Sequence, residues 1–336
     1  MTVRFAAIGL DHRHIYHMVG ECLAAGAVCA GYCPETSDPR VLAGFRERFP
    51  DLEPRDREEL FEDPDIQVIL SAAIPADRPA IAIRAMQTGK DVMLDKPGAI
   101  SLDQVAELER VAAATGQLLS ICFSERLIVR ACVLASRLVA DGAIGQVIQT
   151  TGLGPHRLNR AIRPDWFFRP EAFGGILTDI GSHQIDQFLH YTGADTARIV
   201  AAHTANRALP DIPDFRDCGD ILLEGEGARG FIKVDWFTPD GLPTWGDGRL
   251  FLTGTEGSIE LRKYVDIAGR PGADHLFLID RHGTRHIDAS TEPLTYFSRF
   301  LADVRDRTET ALPPGHALVA TRLAIEAQAI ADGART

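Results

Sequence analysis

The sequence predicts an α/β domain with a doubly wound parallel sheet, followed by an α+β domain with a large, mostly antiparallel sheet. Three observations predict this fold class. Short apolar segments alternate with helical patterns up to residue 123, longer segments of alternating polarity follow, and 336 residues exceed what one ordinary core organises. We therefore expect two domains, at residues 1–123 and 124–336.

Five short apolar segments in the first part predict buried parallel strands, because strands covered on both faces are apolar throughout. The predicted strands are 3–8, 27–32, 66–73, 91–94 and 118–123. Segments with helical spacing separate them, at 15–25, 41–49, 57–61, 79–88 and 101–114. Strands joined by helices predict right-handed crossovers and a single parallel sheet.

The pattern changes after residue 123. A helix is predicted over 128–141, and strands are predicted over 147–151, 198–203, 220–223, 230–237, 250–253, 258–261 and 275–279. Glycine-containing breaks at 224–227 and 255–257 are typical of hairpins, so this sheet should be mainly antiparallel. Helices at 295–308 and 317–331 close the chain, and we expect them to pack back on the first domain.

Charge and cysteine content restrict the partners. The net charge is -12, which argues against nucleic acid or an anionic membrane as the main partner. The six cysteines form no C-x-x-C pair, which favours reduced thiols. No secretion signal pattern opens the chain, and no apolar stretch reaches the roughly 20 residues that a membrane span needs. We expect a cytoplasmic protein.

The turn after the first predicted strand is the first candidate site. In a Rossmann dinucleotide-binding domain this turn is glycine-rich, and backbone N–H groups there hold a pyrophosphate. Here only the first glycine of G-x-G-x-x-G remains, at Gly9, while Asp11 and His14 occupy the other two positions. We predict that Gly9, Asp11, His12, Arg13 and His14 contact the cofactor, with the two histidines and the arginine offsetting the charge of Asp11.

Two other interpretations of this turn remain open. Asp11, His12, His14 and His17 are close enough in sequence to suggest a metal site, but the helical H-x-x-x-H spacing is missing, and we expect no metal. The turn could also be purely structural.

The end of the second strand should carry a carboxylate for the adenosine ribose. Glu35 is the candidate, Cys33 is the alternative position, and a solvated turn glutamate is the competing interpretation. The first basic residue afterwards is Arg40, which favours NAD and leaves NADP as the alternative.

Two segments carry a resemblance to a known family. They are G-K-D-V-M-L-D-K-P at 89–97 and F-G-G-I-L-T-D-I-G-S-H-Q-I-D at 173–186. With Gly145, Trp166 and the G-T-E-G segment at 254–257, they resemble the glucose–fructose oxidoreductase/inositol dehydrogenase (Gfo/Idh/MocA) family. The sequence departs from the family pattern in the phosphate loop and at Asp95, where the family has Glu.

The resemblance implies that Lys96, Asp179 and His183 meet beside a nicotinamide ring. Asp179 and His183 are four residues apart and would share a helix face, with Asp186 one turn further on in a supporting role. We expect His183 to act as general base near neutral pH and Lys96 to bind the same substrate oxygen. Asp179 would bind a neighbouring hydroxyl or orient His183.

Further contacts complete the predicted site. Ile74, Pro75 and Arg78 follow the third strand and would contact the cofactor together with Lys96. Arg126, His156 and Trp166 would line the substrate pocket with Lys96, Asp179 and His183. The basic segment that contains His156, Arg157, Arg160 and Arg163 would bind a carboxylate or phosphate, or else be a solvated loop or subunit contact.

The function implied is an NAD(P)-dependent oxidoreductase that moves a hydride between nicotinamide and a hydroxyl or keto carbon of a sugar, cyclic polyol or sugar derivative. One alternative is an enzyme with bound NAD that uses transient oxidation for isomerisation or elimination. Another is a non-catalytic protein of the same fold that senses a sugar or dinucleotide. The resemblance also implies a homodimer or homotetramer.

Overall fold

The computed structural model describes residues 2–333, and its first sheet has five strands that are all parallel. The strands are β1 (Arg4–Leu10), β2 (Val28–Tyr32), β3 (Val68–Ala72), β4 (Asp91–Asp95) and β5 (Leu119–Cys122). Their spatial order is β2-β1-β3-β4-β5, so the order reverses beside β1, where open parallel sheets bind ligands. Every residue of β3, β4 and β5 is buried, as expected of strands covered on both faces.

Helices connect these strands as the sequence predicts. They are α1 (His14–Ala24), α2 (Pro39–Arg48), α3 (Arg57–Glu62), α4 (Arg78–Gln87) and α5 (Leu102–Thr115). The side chains of Asp38, Asp56 and Ser101 accept backbone N–H bonds at the starts of α2, α3 and α5. Gly116, with a φ of 69°, ends α5. The predicted doubly wound α/β architecture is confirmed.

The second sheet has eight strands and is antiparallel except for one pair. The strands are β6 (Val147–Pro155), β7 (Ala197–Ala205), β8 (Cys218–Gly225), β9 (Ala228–Asp235), β10 (Arg249–Gly254), β11 (Gly257–Arg262), β12 (His275–Asp280) and β13 (Gly283–Asp288). Their order is β13-β12-β11-β10-β6-β9-β8-β7, and only β6 and β9 run parallel. The prediction of a large, mostly antiparallel sheet is confirmed.

Six further helices accompany this sheet in the described residues. They are α6 (Ser124–Leu127), α7 (Arg130–Ala140), α8 (Pro170–Phe173), α9 (Ser182–Thr192), α10 (Tyr296–Asp306) and α11 (Pro314–Ala331). A π-helical turn, Leu177–Gly181, leads directly into α9. The helix predicted over 128–141 is α7, and the short helix α6 that precedes it was not predicted.

Two strands differ from the sequence prediction. β6 continues to Pro155, four residues beyond its predicted end, through Gly152 and Gly154. Both glycines lie under Gln184 of α9, and a Cβ at Gly152 would lie 2.5 Å from Gln184 Oε1. The glycines therefore permit close helix packing and do not end the strand. β13 was missed because it is an exposed edge strand without an apolar face.

The last two helices return to the first sheet. α10 packs on α1, while α11 packs on α5 and β5 as well as on α9. The division of the chain at residue 123 therefore stays a prediction, since segments after it help to cover the first sheet. Among residues 2–333, no helix combines the length and apolar composition required to cross a membrane.

Candidate active site

A cavity of about 410 Å³ opens where the carboxyl ends of β1 and β4 face the second sheet. That volume lies in the range of small-ligand sites, and the edge is where parallel sheets bind ligands. Both halves of the chain line it. Its walls include Asp11, His12, Arg13, His14, Pro75, Arg78, Asp95, Lys96, Glu125, His156, Arg163, Trp166, Asp179 and His183.

Lys96 and Asp179 form an ion pair inside this cavity. Lys96 follows β4, and its Nζ donates to Asp179 Oδ1 at 2.7 Å and to the Asp179 carbonyl at 3.1 Å. The two residues are 83 positions apart, and their side chains are only 7% and 14% exposed. Burial acts to raise the pKa of Asp179, but the charge and hydrogen bond of Lys96 hold it below its usual value.

The turn that carries Asp179 is held from the far end of the chain. The backbone N–H of Leu177, at the start of the π-helical turn, donates to Gln328 Oε1 of α11 at 3.0 Å. Gly175, with a φ of 87°, packs directly against the same side chain, where a Cβ would lie 2.4 Å from Gln328. α11 therefore fixes the position from which Asp179 reaches Lys96.

His183 lines the same cavity from the first turn of α9 and is 2% exposed. Burial lowers its pKa to about 3, the charge of Glu125 acts to raise it, and that of Lys96 lowers it further. The imidazole is therefore neutral at ordinary pH, and its role as general base stays a prediction. Its Nδ1 is buried and has no hydrogen-bond partner in the described part of the chain.

A buried charged pair missed by the sequence analysis lies beside His183. Lys263 Nζ donates to Glu125 Oε2 at 2.7 Å, and Gln184 Nε2 donates to the same oxygen at 2.8 Å. Burial opposes ionisation of Glu125, but the charge and hydrogen bond of Lys263 hold its pKa below the usual range. The sequence could have indicated only Glu125 as a site residue, because it follows the end of a predicted parallel strand.

Aromatic side chains form the wall opposite Lys96. The His156 ring is tilted against Trp245 and edge-on to Trp236, with ring centroids 4.5 and 5.4 Å apart. Burial lowers the pKa of His156 to about 4, so this imidazole is neutral as well. Trp166 is buried, and its indole nitrogen has no hydrogen-bond partner within residues 2–333. The structure therefore places both predicted pocket residues, His156 and Trp166, at the cavity.

The turn after β1 approaches β3 closely. Gly9 has a φ of 79°, and a Cβ there would lie 2.5 Å from the Ala73 Cβ, so only glycine fits. Asp11 turns toward the β2–α2 loop, where its Oδ1 accepts from the Ser37 backbone N–H at 2.6 Å and from Ser37 Oγ at 2.7 Å. Asp11 therefore links the phosphate loop to the loop expected to meet the adenosine ribose.

His12 and His14 point toward Asp95 at the end of β4. His14 Nδ1 lies 2.9 Å from Asp95 Oδ1, and His12 Nδ1 lies 3.6 Å from Oδ2. Arg78 donates to the same carboxylate at 3.0 Å, and its other donors reach the carbonyls of Ala73, Asp95 and Pro97. Burial opposes ionisation of Asp95, but His14 and Arg78 hold its pKa far below the usual range.

This cluster bears on two predictions. Arg78 was expected to contact the cofactor, but its guanidinium is committed to Asp95 and to three carbonyls, so it braces the segment before Lys96. The four residues considered as an alternative metal site do not lie together. Asp11 bonds Ser37, and His17 lies near Glu21. One ligand atom each of His12, His14 and Asp95 lies within 4.8 Å of the others, which is close enough to hold a metal ion. A cation there would be repelled by the Arg78 guanidinium on the same carboxylate.

The residues at this end of the cavity fit a dinucleotide. The N-cap residue of α1, Arg13, makes no side-chain cap, and the positive dipole end of this helix favours a phosphate beside it. Arg13 lines the cavity and has no carboxylate partner within 4.0 Å in the described residues. Gly9, with a φ of 79°, makes the tight turn after β1, as the first glycine of the dinucleotide-binding pattern does.

Three predicted residues lie elsewhere. Arg126 donates to both oxygens of Asp186 at 2.6 Å, and Asp186 also bonds His316 at 2.8 Å. Arg126 lies on a different cavity, so the expectation that it lines the substrate pocket does not match its position. Glu35 is exposed and pairs with Arg57 at 3.1 Å, and Ile74 is outside the cavity wall, unlike Pro75.

Comparison with known proteins covers both halves of the chain. Residues 42–123 match the model of the GFO_IDH_MocA oxidoreductase family, described as an NAD-binding Rossmann fold. Residues 133–260 match the model of the GFO/IDH/MocA C-terminal domain. The predicted resemblance is therefore confirmed on two separate segments.

Individual relatives agree with these models. The NAD⁺-dependent scyllo-inositol 2-dehydrogenase of Bacillus subtilis is 27% identical over 309 residues, covering 88% of this chain and 85% of that protein. Matches to several other curated relatives cover only 34% to 54% of those proteins' own lengths.

Solved structures share the whole fold. A candidate oxidoreductase from Erwinia carotovora atroseptica is 44% identical, with a TM-score of 0.94 over 98% of this chain and 99% of that one. A levoglucosan dehydrogenase in complex with NADH and levoglucosan is 18% identical, with a TM-score of 0.81 over 98% and 97%. At that identity the likeness concerns the fold alone.

Proposed function

The chain belongs to the Gfo/Idh/MocA family of NAD-binding oxidoreductases, and from that membership we propose that it oxidises a secondary alcohol of a sugar, cyclic polyol or sugar derivative. The observation that carries the proposal is the Lys96–Asp179 pair in one cavity with the neutral imidazole of His183. The names of relatives, among them a scyllo-inositol dehydrogenase and a levoglucosan dehydrogenase, support the substrate class.

In the proposed reaction, the alcohol loses a hydride from its carbon and a proton from its hydroxyl group. The nicotinamide, when bound, supplies the acceptor for the hydride from carbon. Lys96 holds the reacting oxygen through Nζ, while Asp179 fixes the ammonium group in place. Neutral His183 accepts the hydroxyl proton. Because burial lowers the pKa of His183, the imidazolium then releases this proton readily.

The proposed cofactor site runs along the phosphate loop. Backbone groups at Gly9 and at the start of α1 would hold the pyrophosphate, with Arg13 adding positive charge and His12 and His14 flanking it. NAD is favoured over NADP because Arg40, the first basic residue after β2, is paired with Asp38 at 2.9 Å. Glu35 remains the proposed partner of the ribose, released from Arg57 when the cofactor binds.

The test is NAD⁺ reduction followed by NADH absorbance across a panel of inositols, aldoses and alditols. Lys96→Met should lower kcat/KM by about 10²- to 10⁴-fold, as expected for loss of an acid–base group, while NADH still binds. Lys233→Met is the control, since Lys233 lies on β9 and is 58% exposed. Equal rates for Lys96→Met and the parent would refute the catalytic assignment.

The alternative is a protein that senses a sugar or dinucleotide without turnover. The side chains at Asp11 and His14, where the family has glycine, favour it. A parent protein that binds NADH and reduces no NAD⁺ with any member of the panel would establish this alternative.

We also propose that the protein acts in the cytoplasm as a homodimer or homotetramer. Six free cysteines suit a reducing compartment. Ile148, Leu222 and Phe231 are exposed on β6, β8 and β9 and line one shallow hollow of the second sheet. Such a patch of apolar side chains is typical of a subunit contact. Light scattering of the purified protein measures the number of subunits.

A further inference from the structure

The carboxylates in the cavity wall have partners within the protein. The pairs are Lys96–Asp179 at 2.7 Å, Lys263–Glu125 at 2.7 Å, Arg78–Asp95 at 3.0 Å and Arg40–Asp38 at 2.9 Å, and Asp11 bonds Ser37. The cavity therefore carries little negative charge that is free to attract or repel a ligand.

Arg163 differs from the paired cations of the cavity wall because it has no carboxylate partner in the described part of the chain. It lines the cavity, and no carboxylate in residues 2–333 lies within 4.0 Å of its guanidinium. Burial acts to lower its pKa, the charge of Asp179 acts to raise it, and the charge of Arg13 lowers it further. Arg163 therefore lies within electrostatic reach of the Lys96–Asp179 pair, where an uncompensated cation is costly unless a ligand supplies the opposite charge.

The guanidinium of Arg163 is held in place by contacts that leave its end free. Nε donates to the Leu158 carbonyl at 2.9 Å. The guanidinium carbon lies 4.3 Å from the ring centre of Phe167 and 5.1 Å from that of Trp236. The two terminal nitrogens make no hydrogen bond to the described residues. A guanidinium fixed in this way is preorganised to bind a planar anion with two parallel hydrogen bonds.

We propose that Arg163 binds a carboxylate of the substrate, so that the alcohol oxidised is part of a polyhydroxy acid such as an aldonate or uronate. This inference rests on the proposed oxidoreductase function and narrows its substrate class.

Phosphate is the other anion that a guanidinium binds, but a phosphate dianion calls for more than one cation. The neighbouring basic side chains do not supply a second. His156 is neutral, because burial lowers its pKa to about 4. Arg157 donates to the carbonyls of Pro239 and Leu242. Arg13 lies at the phosphate loop, where the dinucleotide's own pyrophosphate is expected.

The experiment compares matched acids and neutral alcohols with the full-length protein and NAD⁺. Suitable pairs are D-glucuronate with D-glucose, D-gluconate with D-sorbitol, and tartrate with threitol, and D-glucose 6-phosphate tests a phosphate. The parent should show a higher kcat/KM for at least one acid than for its neutral partner. Arg163→Gln should lower kcat/KM for that acid by about 10- to 100-fold, as expected for loss of a charged hydrogen bond, and for the neutral partner less than about threefold.

Two further variants separate binding from folding. Arg163→Lys keeps the charge but not the planar fork, and should retain part of the preference for the acid. Arg169→Gln is the matched control, because Arg169 lies close by in the chain but is exposed and outside the cavity wall. It should leave both substrates unaffected.

The outcomes also separate this inference from the proposed function. Oxidation of neutral polyols without oxidation or binding of any acid would overturn the inference and leave the function standing, as would equal losses on both substrates in Arg163→Gln. Preference for the sugar phosphate would overturn it too. If nothing is oxidised, calorimetric binding of an acid to the NADH complex, lost in Arg163→Gln, would support the carboxylate site while the oxidoreductase function fails.

Discussion

The two ends of the cavity differ in how they depart from the family pattern. At the end formed by β4 and α9, the residue types at Lys96, Asp179 and His183 follow the pattern, and the first two meet across 83 residues. At the phosphate-loop end, glycines are replaced by Asp11 and His14, and each new side chain has a partner inside the protein. The comparison shows that charged or bulky loop residues are compatible with this fold when the rest of the chain supplies their partners.

Asp95 is the partner on which the loop end depends most. Asp95→Asn removes the charge that pairs Arg78 and His14, and Arg78 is only 1% exposed. Breaking a buried pair on one side should lower the free energy of unfolding by about 3–5 kcal/mol. Urea denaturation measures it, with exposed Asp51→Asn as the control. A loss no larger than the control's would mean that the loop does not need Asp95.

Gly9 tests whether the one remaining loop glycine is required. Gly9→Ala should cost about 1–2 kcal/mol for its positive φ and about 1–3 kcal/mol more for overlap with Ala73. Gly26→Ala is the control, because Gly26 has a φ of 89° but open space around it. Thermal denaturation of the two variants separates the cost of the positive φ, which both share, from the cost of overlap with Ala73, which only Gly9→Ala has. Equal losses would show that β3 moves away without cost.

His183 gives a prediction for the other end. Its pKa is about 6.5 in an unfolded chain and about 3 in the folded protein, so below pH 6.5 the unfolded state binds a proton that the folded state does not. Stability should fall with acidification, and from pH 7 to pH 5 His183 contributes about 2 kcal/mol of that fall. His183→Gln should lose less stability over this interval than the parent.

The control for His183 is His282→Gln, at an exposed turn between β12 and β13. Denaturation midpoints at pH 7 and pH 5 give the comparison. An acid sensitivity in His183→Gln as large as in the parent would contradict the neutral, buried imidazole.

Asp11 should give the smallest effect. Asp11→Asn keeps an oxygen for Ser37 but removes a negative charge beside the expected pyrophosphate. NADH should bind a few-fold more tightly, since a half-buried charge that remains open to solvent contributes about 1 kcal/mol or less at this range. The gain should shrink at high salt, as fluorescence titration would show. Weaker binding in Asp11→Asn would mean that the carboxylate matters more for ordering the loop than for repulsion.

Local signals in the sequence predict most of the fold. Apolar strands between helices identify the parallel sheet, and alternating polarity identifies most of the second. The failures were of two kinds. The strand predicted to end at residue 151 continues through Gly152 and Gly154, which accommodate a helix packed against the sheet. β13 has no apolar face, because only one neighbouring strand and solvent surround it.

The candidate site was predictable where a motif marked it. The Lys-Pro segment and the D-x-G-x-H segment pointed to Lys96, Asp179 and His183. The Glu125–Lys263 pair was not predictable, because 138 residues separate its members and neither belongs to a motif. The prediction that Arg126 lines the substrate pocket failed for a related reason. Its position after β5 does not reveal that its guanidinium forms an ion pair with Asp186.

The contact between Gln328 and Leu177 affects when a newly made chain becomes competent. Lys96, Asp179 and His183 are all translated before residue 184, yet the turn that presents Asp179 is anchored at Leu177 by a side chain 151 residues later. During synthesis on the ribosome, the reacting groups therefore cannot reach their final arrangement until α11 has been made. A message cut short before codon 328 would yield a polypeptide that carries the whole motif but lacks the Gln328 side chain that positions the Asp179 turn.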